Sequence, residues 1–397
     1  FNTGTAAPVI TGNTVTGNYR SMIIPASTVP QAADGNVLGP NTIAGIWIRG
    51  NERSSDLLFE RLYAGQAREI STYQIYDTLT MAAGSTLEVE PGVVVKFYAG
   101  AGLTINGALD AQGTAAEPVV FTSYKDDRFG GDFNLDGSAS APLNGDWHGI
   151  YFTNNASDAD CVIDHAVIRF GGSANSGQIY AYYTDFGISN SVISNSSTNG
   201  VRARYSSLTL SNVEVFGNSG DGLYLENTGT HTIGGSRKFA NFGDGIEIRN
   251  SAGLTVATSE IFGNQGMGIN RSSTQTIVAT NNWWGAVDGP GGEGPGAGDE
   301  ISTNVTFDPF LTDGTNFSYF NAGPNLAEGT IAAPTVTQGT DSSQFGTSAA
   351  TRMLYDLDQV ILDYPAIALP ASAQYDIFVT YNNGDDTSGI GGNIQRL

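Results

Sequence analysis

Cysteine and positive charge are scarce in this 397-residue chain: one Cys (Cys161), three His, and 17 Lys and Arg against 39 Asp and Glu. One thiol makes no intrachain disulfide and has no companions for a zinc site. The formal net charge of −22 argues against nucleic acid, which needs a dense basic surface to meet its phosphates. An acidic surface suits solubility and divalent cations instead. No apolar run reaches the roughly 18 residues of a membrane-spanning helix, and no signal-peptide pattern is visible. Only 14% of residues are charged and 40% are hydrophobic, too apolar for a disordered chain, while 52 glycines are too many for a helical one.

What is present is a period. Phe170, Ile193, Phe216, Phe239 and Phe262 stand 23 residues apart. Two residues later come Gly172, Asn195, Asn218, Asn241 and Asn264, and then Gly177, Gly200, Gly222, Gly245 and Gly268. Leu208, His231, Leu254 and Ile277 form another column, and Val201, Leu223, Ile246 and Ile269 a further one. Within each short run apolar and polar residues alternate, as in half-buried strands. Three short strands per repeat cannot bury their inner faces alone, so the chain is expected to coil them into stacked rungs. Each strand then pairs in parallel with its equivalent one turn away. The phenylalanines are expected to fill an interior column, and the asparagines to occupy turns, where Asn tolerates left-handed backbone.

The fold class that follows is all-β, a right-handed parallel β-helix (solenoid) with a C-terminal β-sandwich-like segment. Residues 1–68 read as β-helix-like coils and connector, a cap or an exchanged segment, because Gly45-Ile46-Trp47-Ile48 matches Gly245-Ile246-Glu247-Ile248. The run from Glu52 to Ala67 is the one candidate for a short helix or connector. Residues 69–311 carry the β-helix, with tighter first coils suggested by Leu87 and Leu103, 16 apart. Residues 312–349 read as a linker rich in Gly, Thr, Ser and Asn. Residues 350–397 alternate as antiparallel strands of an incomplete sandwich, and with Phe1 at the other end the chain reads as a processed or excised piece.

The register resembles the pectin-lyase-like superfamily of parallel β-helices, and within it bacterial surface proteins built from such repeats. The resemblance is carried by Leu87-Glu88-Val89-Glu90-Pro91-Gly92, by Ile163-Asp164-His165-Ala166-Val167-Ile168-Arg169-Phe170 and by Asn281-Asn282-Trp283-Trp284-Gly285. It covers roughly residues 70–311 and implies the fold more than a function, since such helices serve as lyases, hydrolases, epimerases, tailspikes, adhesins and stalks. Residues 350–397 resemble the opening of a galactose-binding-like sandwich.

Several constellations carry chemistry. Asp132-Phe133-Asn134-Leu135-Asp136-Gly137 places alternate oxygen ligands before a glycine, with Asp126, Asp127 and Asp146 flanking it. That set could hold a structural Ca²⁺. Leu143 at the twelfth position excludes an EF-hand, and a solvated acidic turn is the plain alternative. Asp164-His165 is similar to a lyase pair, but the nearby Asp185, Arg202 and Arg204 supply no acidic trio, so a hydrogen-bonded pair at a strand edge is expected. Asp221 and Asp244 sit in Gly-Asp-Gly turns and read as turn formers, with Ca²⁺ bridging a minor alternative. Arg202, Arg204, Tyr224, Glu226, Glu247 and Arg249 fall on outward columns near Tyr180, Tyr182, Tyr183 and Tyr205. They read as a salt-bridge ladder or a sugar-binding face, since aromatic rings suit pyranose faces. His231 is expected inside a rung, and Trp283 and Trp284 over the open end of the core.

No convergent catalytic set emerges, so the reading leans away from an enzyme. A structural or adhesive rod is expected, extracellular or on a bacterial-type cell surface. Its partners would be further copies of itself in a filament, through strand exchange, or an extracellular polysaccharide. The alternative is a polysaccharide lyase or hydrolase, or a carbohydrate-binding module, of the same superfamily.

Overall fold

In the computed structural model the chain is described over residues 10–312, except 30, 32–33, 51, 67–68, 138, 175, 228, 251–252 and 273–276, and over residues 335–337 and 361–363. Residues 10–312 wind into a parallel β-solenoid. An 11-stranded sheet forms one face, and an 18-stranded sheet bends around the other two. Strands Phe186–Ser194 and Leu208–Phe216 show how the bend is made, because Asn190 and Asn212 break each strand at φ 47° and 55°. Asn accepts that left-handed conformation more readily than other residues with a Cβ.

Inside the cylinder like stacks on like. Ile179, Val201, Leu223, Ile246 and Ile269 are vertical neighbours on the 11-stranded sheet, each at most 1% exposed. The His231 column forms as the repeat predicts. His231 is fully buried between Leu208 and Leu254 and accepts the Leu208 N–H at 3.1 Å. Burial pushes its imidazole down to about 4, so it is neutral at physiological pH.

One turn of the solenoid is held by side-chain amides. Asn218 and Asn241 each receive the backbone N–H of the rung before, and Asn218 Nδ2 donates to Asn241 Oδ1 at 2.8 Å, as Asn241 Nδ2 does to Asn264 Oδ1 at 2.9 Å. Glycine makes the room. A Cβ on Gly222 would stand 2.6 Å from Gly245 O and 2.9 Å from Asn241 Nδ2. The glycine column is therefore a steric consequence of the asparagine column.

The registers differ from the simple 23-residue count in three places. Phe216, Phe239 and Phe262 do stack, with centroids 4.7 and 5.3 Å apart, but in a separate cluster on the outer side of their strands. The lumen column beside them is Ile168, Ile193, Val215, Lys238 and Ile261, so Ile193 belongs there and not with the phenylalanines. Phe170 and Asn195 are left-handed corner residues, φ 64° and 58°, one step before the amide ladder. Leu87 and Leu103 do not mark a tighter coil, because they lie on different sheets. Leu87 pairs with Leu109, and Leu103 with Leu79.

The first coils join the same solenoid: Arg20–Pro25 pairs with Ile43–Arg49, which pairs with Thr72–Ile75. Glu52–Arg53 and Leu57–Phe59 are strands, so the short helix, one of the two readings of this run, does not form there. Alternating burial of Leu57 and Phe59 in the lumen outweighs the local helix preference. Trp284 is buried in the lumen, and the solenoid continues past it to Ile301 and Val305. Beyond residue 312, Thr335–Thr337 pairs antiparallel with Ile361–Asp363. The other strands expected after residue 350 lie outside the described residues.

Residues 124–148 leave the rung between Val119–Ser123 and Ile150–Phe152 and strap the outside of the long sheet. Phe133 stacks on Trp47 with centroids 4.6 Å apart, and fits over Gly45, where a Cβ would collide with its ring. Phe129 clusters with Val94, Val120 and Val167. Beneath the strap Lys96 Nζ donates to Gly131 O at 2.6 Å and to Asp126 O at 3.1 Å.

Candidate functional site

Alternation on the 11-stranded sheet turns every second side chain outward. One outward column reads Tyr151, Tyr180, Arg202, Tyr224, Glu247 and Asn270, and its neighbour Tyr182, Arg204, Glu226 and Arg249. Beyond the strand ends, Tyr183 and Tyr205 take left-handed backbone at φ 55° and stack at 4.4 Å. Tyr183 is half exposed, 50%.

Rings and guanidiniums interleave on this face. Tyr151 stacks on Tyr180 at 5.1 Å. Arg202 lies 5.0 Å from the Tyr180 ring and 5.5 Å from Tyr224, and Arg249 covers Tyr224 from its other side at 5.3 Å. Each such contact is worth about 0.5–1 kcal/mol at a surface. Glu226 accepts from Arg202 at 3.2 Å and lies 3.6 Å from Arg204, while Glu247 pairs with Arg249 at 2.5 Å. Such part-exposed pairs contribute little stability, but they hold the side chains in place and cancel most of the local charge. All the residues expected on a sugar-binding face are thus brought together. Tyr151 is an addition. Its separation of 29 residues from Tyr180 hid the relationship from any search at the regular period.

At one edge of the face Asp221, Asp244 and Glu247 bring carboxylate oxygens within 4.8 Å of one another. Asp221 Oδ1 accepts the Asp244 N–H at 2.8 Å, and Asp244 Oδ1 the Met267 N–H at 2.6 Å, so each aspartate ties its own rung to the next one. Desolvation, with Asp244 and Glu247 adding repulsion, pushes the Asp221 carboxyl up to about 7. Asp244 is raised by burial as well.

The six oxygen ligands expected in the strap do not converge as a set. Asp126 is buried and bonded to Thr122 at 2.7 Å and Arg128 at 3.2 Å, with Arg169 3.6 Å away. Burial alone would raise its pKa, but the two guanidiniums and the Thr122 hydroxyl hold it below the usual range. Asp146 is taken by Lys125 at 2.8 Å and Ser123 at 2.7 Å. Asp127, Asp132 and Asp136 do converge, again within 4.8 Å. Asp132 caps the Asp136 and Gly137 N–H groups, and Asn134 Nδ2 donates to Asp136 at 2.9 Å. Asp127 Oδ1 and Asn134 Oδ1 are buried atoms with no hydrogen-bond partner among the described residues. Desolvation and the surrounding carboxylates push Asp127 up to about 6.

The Asp164–His165 pair stands apart from all of this, on the long sheet. His165 Nδ1 is 2.8 Å from Asp164 Oδ2, while Asp164 Oδ1 accepts Ser189 at 2.6 Å and Asn190 at 2.8 Å. Arg202 and Arg204 belong to the other sheet, so they do not join this pair. These hydrogen bonds, overcoming desolvation, keep the Asp164 pKa low.

With fold and face in view, the class follows: this is a parallel β-helix protein. The family model for a right-handed beta helix region matches residues 140–283. Among solved structures the chain is similar to the A-module of Azotobacter vinelandii mannuronan C-5 epimerase AlgE4. The identity is 13% and the TM-score 0.27, over 61% of this chain and 70% of that one. The A-module of epimerase AlgE6 from the same organism gives 13% identity and TM-score 0.28 over 71% and 75%. A double mutant of the periplasmic alginate epimerase AlgG gives 12% and 0.28 over 67% and 74%. No curated protein matches the sequence. Among the described residues, no helix is long and apolar enough to cross a membrane.

Proposed function

We propose that the protein is an extracellular adhesive β-helix that holds polysaccharide on the outward face of its 11-stranded sheet. The observation that carries this is the gathering of Tyr151, Tyr180, Tyr182, Tyr183, Tyr205 and Tyr224 on one face, interleaved with arginines. Tyr180 is buried beneath its neighbours, while the half-exposed Tyr183 offers ring surface to sugar C–H groups and the guanidiniums around it offer hydrogen bonds. A panel of soluble polysaccharides in affinity electrophoresis tests it. Tyr183→Ala and Tyr205→Ala should each weaken retardation about tenfold, a loss of ~1.4 kcal/mol, with unchanged circular dichroism. Absence of binding across the panel overturns the reading. Polymerisation of the rod with itself belongs to the same proposal, and a single monodisperse species in sedimentation and native imaging would remove it.

A second reading, lyase or hydrolase, is favoured by one feature. The Asp221 carboxyl, raised to about 7, lies at the edge of that face beside Glu247 and is tuned for proton transfer near neutral pH. Release of unsaturated or reducing ends, abolished in Asp221→Asn, would support it. Intact polymer after prolonged incubation decides against it.

The strap is proposed to take Ca²⁺ through Asp127, Asp132 and Asp136, on the strength of their convergence and of the unpartnered Asp127 Oδ1. Hard oxygen donors of this kind suit that ion. Millimolar CaCl₂ should raise the melting temperature of the protein but not of Asp132→Asn. An equal response in both excludes the site.

A further inference from the structure

In a stack of rungs each unit touches only the units above and below it, so opening at one place is resisted by nearest neighbours alone. The strap of residues 124–148 departs from that rule. Ile43–Arg49, Thr72–Ile75, Val94–Phe97, Val119–Ser123, Ala166–Arg169, Phe186–Ser194 and Leu208–Phe216 follow one another in the long sheet. The strap meets the rung of every one of them. Phe133 covers Trp47, and Gly130 approaches Thr72 so closely that a Cβ there would stand 2.6 Å from the hydroxyl. Phe129 packs with Val94, Val120 and Val167. Asp126 takes the Thr122 hydroxyl and lies 3.6 Å from Arg169, whose carbonyl accepts from the Trp147 indole at 2.8 Å. At the far end Asn144 Nδ2 donates to Ser196 O at 3.3 Å, Gly217 O at 3.5 Å and Ser219 Oγ at 3.2 Å, just past the last two strands. At roughly 4.8 Å per rung, one continuous segment clamps about 29 Å of the rod.

The next rung along, with strands Thr230–Gly234 and Arg237–Phe239, lies past these contacts and is weakened from inside. Lys238 sits in the lumen between Val215 and Ile261, fully buried, its amine without a hydrogen-bond partner among the described residues. An unpaired polar group opposes closure of a rung that its apolar neighbours favour. What holds across this rung is modest. Arg237 bridges Glu214 at 3.4 Å and Glu260 at 2.7 Å, and Asn218 bonds to Asn241 at 2.8 Å.

We propose that the strap and Lys238 together divide the solenoid into two cooperative units, with a seam at the rung of Lys238. Rungs under the strap open together, because parting any two of them breaks contacts that the strap makes with the others. The rungs from Lys238 onward open separately and more readily. The seam also crosses the outward face of the other sheet. It parts Tyr224 from Arg249, whose guanidinium lies 5.3 Å from that ring, so the tyrosine–arginine face is continuous only while the seam is shut. The inference concerns how the rod opens, and it stands whether or not the face holds a glycan.

Native-state hydrogen exchange of the full chain in low urea, read by mass spectrometry with EDTA present so that no metal contributes, tests it. Amides of Thr72–Ile75, Val94–Phe97 and Val119–Ser123 should exchange as one set, and those of Arg237–Phe239 and Ile246–Arg249 at least about tenfold faster. Lys238→Met should slow the second set about tenfold and leave the first unchanged. Asn144→Ala, which loosens only the end of the strap, should move Leu208–Phe216 from the first set to the second. The proposal is overturned if the two sets exchange alike in the parent or in the opposite order. It is also overturned if Lys238→Met shifts both sets equally, or if Leu208–Phe216 stays with the strap-covered strands in Asn144→Ala.

Discussion

Asn264 Nδ2 donates to Asp299 Oδ2 at 2.7 Å, and this bond ends the amide ladder that runs down the solenoid. Asp299 also accepts the N–H of Gly263 at 2.8 Å and of Asn264 at 3.2 Å. Every amide in the column donates in the same direction, so the last one needs an acceptor that has nothing to donate onward. A carboxylate meets that condition, and linked hydrogen bonds of one polarity reinforce one another.

Asp299→Ala leaves three buried donors without an acceptor, which should cost about 3 kcal/mol in urea unfolding. Asp299→Asn keeps an acceptor and should cost less. The pH dependence separates the variants further. Burial pushes Asp299 up to about 7, so between its unfolded value near 4 and about 7 the folded state binds more protons than the unfolded one. Its contribution is fully present below pH 4 and is lost as the pH rises through 7. Asp299→Asn should flatten that part of the stability profile, and an unchanged slope would show that the carboxyl is not shifted.

Lys238 occupies the lumen between Val215 and Ile261, fully buried, with no hydrogen-bond partner for Nζ among the described residues. Burial drives its pKa well down. Lys238→Met preserves the length and removes the amine, and should stabilise the protein by about 1–4 kcal/mol. The unfolded lysine takes up a proton that the folded one refuses, so the penalty grows as the pH falls below 10.5. The gain from Lys238→Met should therefore be larger at pH 6 than at pH 9. Equal gains at both would place a charged, satisfied ammonium in the core.

Two glycines make a matched test of the turn geometry. Gly222→Ala drives a Cβ into Gly245 O and Asn241 Nδ2, and should destabilise by about 1–3 kcal/mol, as overpacking does. Gly234 has nothing within 4 Å of the position its Cβ would take. Gly234→Ala should be neutral or stabilise by up to ~1 kcal/mol through the unfolded chain. Similar melting temperatures for the two variants would contradict the steric account.

The β-solenoid and the outward tyrosine–arginine columns were legible in the repeat, because vertical neighbours on a regular rung differ by a nearly constant number of residues. Asn218, Asn241 and Asn264 were readable for that reason, as were Tyr224 and Glu247. Where a turn gains or loses residues the count fails. Asp299 follows Asn264 by 35 residues, and Tyr151 precedes Tyr180 by 29. Nothing in the period singles out Lys238, and only the pairing register sets it between Val215 and Ile261. Only the folded molecule decided that Asp126 neutralises arginines while Asp127, Asp132 and Asp136 converge, since the path of the strap is set by Phe133 against Trp47 and Lys96 against its carbonyls. Periodicity is a local property of the chain and can be read along it. Contacts made across insertions depend on which surfaces bury each other, and those exist only after the rungs have stacked.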